Sequence, residues 1–98
     1  MQFSFSNKLR KLLKNDQTIK KNYGQLYGPI KVCLSVIESQ DYLELIPNVP
    51  PTRRHKLSNN MWALDLNKNW RMIIKPVNEI EPSKINKIII EDIVDYHS

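Results

Sequence analysis

The sequence predicts an α+β domain in which N-terminal helices pack on a twisted, mainly antiparallel β-sheet. Two observations carry this: apolar residues recur three and four apart as far as Ser39, and two apart from Trp62 onward. A third is the stretch Pro47-Asn48-Val49-Pro50-Pro51, which separates the two regimes. No repeat, low-complexity stretch or long linker interrupts the 98 residues, so one domain over 1–98 is expected.

Gln2 to Phe5 alternate polar and aromatic and read as a short strand. Ser6 then offers a helix N-cap, followed by Leu9, Leu12 and Leu13 at helical spacing. Asp16 reads as the cap of a second helical stretch, with Ile19, Tyr23, Leu26, Ile30, Cys33 and Ile37 along one face. Pro29 fits the first turn of a new helix, where its missing N–H costs nothing, so a break near Gly28 is expected. The helical region should end near Ser39, with room for a final turn through Leu43.

The proline stretch reads as an extended connector, because proline removes a donor and restricts its predecessor. Trp62, Leu64 and Leu66 then alternate with Ala63 and Asp65. Asn67-Lys68-Asn69 turns the chain into Trp70, Met72 and Ile74, which alternate with Arg71, Ile73 and Lys75. This is a β-hairpin, with both tryptophans facing the core. After a polar loop over Pro76–Ser83, Ile85 to Tyr96 reads as a long strand. The run Ile88-Ile89-Ile90 places it near the middle of the sheet.

Fifteen Lys and Arg against ten Asp and Glu give a formal charge of +5. Such a balance suits an anionic partner without choosing among nucleic acid, membrane surface and acidic protein. Lys8, Arg10, Lys11, Lys14, Lys20, Lys21 and Lys31 face only Asp16 in the first third, whereas Glu91, Asp92 and Asp95 lie near the end. A dipolar surface with one basic face is therefore expected. The single Cys33 forms no internal disulfide and sits at a core position, and no Cys/His cluster has metal-ligand spacing. No apolar run approaches the roughly 20 residues of a membrane-spanning helix, and the N-terminus lacks a signal-peptide pattern, so a cytoplasmic location is expected.

The sharper signal is local. Arg53-Arg54-His55-Lys56-Leu57, Trp62-Ala63-Leu64-Asp65-Leu66, Asn69-Trp70-Arg71-Met72-Ile73-Ile74 and Asp95-Tyr96-His97 occur in that order. In this ordered set the chain resembles the HigB-type killer toxins of the RelE/ParE superfamily. Ile19-Lys20-Lys21-x-Tyr23-Gly24, Leu34-Ser35 and the Pro-Pro before the basic run extend the likeness over nearly the whole chain. One departure is the short Ser58-Asn59-Asn60, where many relatives carry a longer basic turn; Arg53, Arg54 and Lys56 would supply that charge here.

The resemblance implies a ribosome-dependent messenger RNA endonuclease that needs no metal or other cofactor. In that reaction the ribose 2′-hydroxyl attacks the adjacent phosphate, which calls for a base, an acid and a cation beside the phosphorane. By resemblance His55 and the triplet Asp95, Tyr96 and His97 are catalytic. Histidine as a residue type suits proton transfer near neutrality, and which of the two imidazoles is base stays open. Arg71, able to fork onto two phosphate oxygens, is the candidate transition-state clamp. On a strand, Asp95 and His97 share a side and Tyr96 takes the other. Arg53, Arg54 and Lys56, with Lys8, Lys11 and Lys14 of the first helix, are candidate RNA contacts through phosphate. The implied partner is a small helix-turn-helix antitoxin, HigA-like, through which operator DNA is touched only indirectly, and no membrane is involved. Two other classes stay open: a ParE-like gyrase inhibitor, which needs neither histidine, and a non-enzymatic basic nucleic-acid-binding module.

Overall fold

The structure, a computed structural model, describes residues Met1–Tyr96. Its first strand, β1 (Gln2–Phe5), leads into helices α1 (Asn7–Leu12), α2 (Asp16–Tyr23) and α3 (Tyr27–Ser39). Four strands follow: β2 (His55–Lys56), β3 (Trp62–Asp65), β4 (Trp70–Pro76) and β5 (Lys87–Asp95). They form one five-stranded sheet in the order β1-β5-β4-β3-β2. β1 runs parallel to β5 and the other pairings are antiparallel, so the expected α+β class and the central last strand are both observed.

Local chemistry explains the helix limits. Ser6 accepts from the Leu9 amide at the start of α1. α2 is capped by Asn15 rather than Asp16. Asn15 accepts from the Thr18 amide while the Thr18 hydroxyl accepts from the Asn15 amide, a reciprocal pair that satisfies two end donors. Asp16 becomes the first helical residue and pairs with Lys31 at 2.9 Å. The break expected near Gly28 lies earlier, in a 3-10 turn over Gly24–Leu26, and α3 begins at Tyr27 with Pro29 inside its first turn. A further 3-10 turn, Leu43–Leu45, is tied down by the loop before β5: the Leu43 amide donates to the Ile85 carbonyl at 2.8 Å, and the Glu44 amide to Pro82.

One expectation is corrected. The proline stretch is a turn, not an extended connector. Arg53 N–H donates to the Val49 carbonyl and Arg54 N–H to that of Pro47, both at 2.9 Å, because the arginine amides supply the donors that proline lacks. One basic residue of the first third also meets the acidic end of the chain in space. α1 continues beyond the end of β1 alongside β5, and Lys8 reaches Asp92 at 2.8 Å. A bulge in β5 opposite Ile73 and Ile74 aids this docking, since the Ser6 hydroxyl donates to the Glu91 carbonyl.

The core lies between the helices and one face of the sheet. Leu9, Ile19, Leu26, Ile30, Cys33 and Ile37 meet Trp62, Leu64, Met72, Ile74, Ile88, Ile90 and Ile93 there. Period-two alternation puts Ala63 and Ile73 on the opposite face, buried yet outside that cluster. Burial, and secondarily the nearby Asp65 charge, pushes the Cys33 thiol up to about 12. Above about pH 9 the unfolded chain loses the thiol proton and the folded one keeps it, so stability should fall by about 1.4 kcal/mol per pH unit. Urea melts of wild type and Cys33→Ala at about pH 8 and about pH 10.5 isolate this contribution. Identical pH dependence in the two proteins would contradict it.

Candidate nucleic-acid-processing site

The face of the sheet turned away from the core gathers most of the polar chemistry. Cross-strand partners share a face, so His55 lies with Ala63 and Ile73, and Asp65 with Arg71 and Val94. Asp65 sits between two guanidiniums. Arg53 Nε donates to its Oδ2 at 2.7 Å and Nη2 to Oδ1 at 3.3 Å. On the other side, Arg71 Nε stands 2.8 Å from Oδ1, a close ion pair without hydrogen-bond alignment. The Asp65 charge holds the Arg53 guanidinium above its ordinary range, through the hydrogen bonds first and the Coulomb attraction second.

Arg71 is held almost entirely by protein. Its side chain is 11% exposed, and Nη1 donates to the carbonyls of Asn67, Lys68 and Trp70 in the hairpin turn. The Tyr96 ring lies over the guanidinium, 5.3 Å from carbon to centroid, while the Tyr96 amide donates to Asn69 at 2.8 Å. Tyr96 thus turns to the Arg71 side, and Asp95 pairs with Trp70 across β4 on the opposite face. This split within the triplet is the one the alternation anticipated. His97 lies outside the described residues.

His55 is half-buried, and its Nδ1 stands 2.9 Å from the Arg53 carbonyl. Two strands and two residues separate it from Arg71, about 12 Å at the Cα atoms by ordinary strand spacing. The Arg71 guanidinium points toward the hairpin turn, so Arg53 is the link, with its carbonyl at the imidazole and its side chain on Asp65. The result is a continuous file on one sheet face: His55, Arg53, Asp65, Arg71, Tyr96.

The other candidate RNA contacts lie elsewhere. Arg54 is on the core-facing side, where Nε donates to the Ile46 carbonyl at 2.9 Å and the guanidinium covers the Trp62 ring. Lys56 is exposed on edge strand β2 and alternates away from His55. Lys8, Lys11 and Lys14 are exposed on and just after α1, with Lys8 committed to Asp92. Sequence reasoning gave Asp65 no role beyond its place in the motif. A signal was available, since a hairpin turning over Asn67–Asn69 sets Asp65 opposite Arg71, and a carboxylate facing an arginine there predicts a pair. Among the described residues no three His, Cys, Asp or Glu side chains converge as metal ligands, and no helix is long and apolar enough to cross a membrane. No protein-family model matches the chain, and a search of curated proteins returned no significant relative.

Proposed function

We propose that the protein is a cytoplasmic endoribonuclease toxin, HigB-like within the RelE/ParE superfamily, that cuts messenger RNA on the ribosome. A helix-turn-helix antitoxin would hold it in check. The observation that carries this reading is the file His55–Arg53–Asp65–Arg71–Tyr96 on the sheet face that the core leaves open. It sets an imidazole and two guanidiniums along one surface, at positions that the motif resemblance marks as functional. In the proposed step an imidazole takes the 2′-hydroxyl proton and the oxygen attacks the adjacent phosphorus. The bond to the 5′-oxygen then breaks as an acid protonates it, leaving a 2′,3′-cyclic phosphate and a 5′-hydroxyl end. Arg53, the more exposed guanidinium, meets the phosphate, and Arg71 backs it through the shared Asp65. His97 stands as the second proton-transfer group by resemblance.

The test is inducible expression of wild type, His55→Ala and His97→Ala with transcriptome-wide mapping of RNA 5′ ends. Wild type should arrest growth and create new ends inside translated codons. His55→Ala should lower cleavage by at least about 100-fold with its melting curve kept. Arrest with intact messages and broken chromosomal DNA would replace this reading with the gyrase one.

A further inference from the structure

Arg53 is the one residue between the proline turn and β2 whose backbone enters the left-handed region, at φ 40. Arginine pays for that conformation, unlike glycine, so the surroundings must enforce it. They do so from both sides. The Arg53 and Arg54 amides are fixed to the Val49 and Pro47 carbonyls, and the Asp65 amide donates to Thr52 at 2.7 Å. The Arg53 side chain is clamped on Asp65, and Arg54 Nε on Ile46. One consequence of this backbone is where the Arg53 carbonyl points: at His55 Nδ1, 2.9 Å away.

A carbonyl oxygen only accepts. The hydrogen bond therefore requires the proton on Nδ1, and in the neutral ring that leaves Nε2 as the nitrogen with the lone pair. From this geometry we infer that Arg53 is a positioning residue, whose strained backbone holds His55 as the Nδ1–H tautomer with Nε2 free to take a proton. The identity of that proton, the ribose 2′-hydroxyl's, rests on the nuclease reading; the tautomer does not. Within that reading the inference assigns Nε2 as the nitrogen through which His55 exchanges a proton with the RNA.

Long-range proton–nitrogen NMR of the imidazole, above the pH at which the ring is neutral, reads the tautomer directly. Wild type should show the Nδ1–H form, and a dominant Nε2–H form would overturn the inference. Arg53→Gly permits the same positive φ and removes the guanidinium, so the Nδ1–H form should persist; its loss would show that the backbone is not what holds the ring. Arg53→Pro fixes φ near −65°, and the tautomer ratio should move about 3- to 10-fold toward Nε2–H, the scale of one net hydrogen bond. An unchanged ratio in a folded Arg53→Pro protein would remove Arg53 from the role, and wild type with Arg53→Gly decides if that variant does not fold. In RNA cleavage, Arg53→Pro should lose about 3- to 10-fold relative to Arg53→Gly. The nuclease reading fails separately: full cleavage by His55→Ala would end it while leaving the tautomer result standing.

Discussion

Asp65→Ala is expected to destabilise the protein by about 3 kcal/mol, because it strands the Arg71 guanidinium without its counter-charge. Arg71 is 11% exposed at the side chain, and its remaining partners are neutral carbonyls of the hairpin turn and the Tyr96 ring. Removing one member of a buried pair costs far more than removing both, since the survivor keeps its desolvation penalty. The Arg53 arm of the same carboxylate should behave differently. Its side chain is 45% exposed, water replaces the lost partner, and Arg53→Ala should cost less than about 1 kcal/mol. Urea unfolding of Asp65→Ala, Arg71→Met and the double variant measures the coupling directly. If Asp65→Ala unfolds at the wild-type midpoint, the pair contributes nothing and the file on the open face has no structural anchor.

The second large effect is expected at Leu64. This residue is fully buried in β3, opposite the equally buried Met72, with Trp62 and Ile74 beside it on the same face. Leu64→Ala removes three carbons from a layer fixed by hydrogen bonds on both strands, so the cavity cannot close cheaply. A loss of about 3 kcal/mol follows, within the usual range for such truncations. A domain of this size is stable by about 5–15 kcal/mol, so calorimetry should find the midpoint lower by roughly 15 °C. A shift of only a degree or two would mean that the sheet's inner face is less tightly packed than the burial describes.

What the sequence disclosed, and what it concealed, follows the range of each interaction. The hairpin was legible because its signals are local: period two on either side of Asn67–Asn69, with Trp62, Leu64, Met72 and Ile74 on one face. The central position of β5 was legible from its run of isoleucines, though Ile89 is half-buried where its neighbours are fully so. The Lys8–Asp92 pair was hidden because order along the chain is not order in space. Lys8 and Asp92 lie far apart in sequence and meet through the docking of α1 beside β5. The turn in the proline stretch depends on the amides of Arg53 and Arg54 reaching back to Val49 and Pro47, a closure that proline content does not announce. The candidate site was half legible. His55, Arg71 and Tyr96 were named and share a face, but the role of Asp65 and the left-handed Arg53 were not. A positive φ on arginine is imposed by tertiary contacts, and no propensity scale anticipates it.

The threading of the sheet has a consequence for biosynthesis. β5 emerges from the ribosome after every other described element, yet it separates β1 from β4 and supplies hydrogen bonds to both. Until it arrives, β1 has no partner strand and the inner edge of β4 is unpaired, so a nascent chain can hold at most the β2–β3–β4 ribbon and fluctuating helices. Closure of the sheet thus waits for β5, and polypeptides truncated before residue 87 should be protease-sensitive.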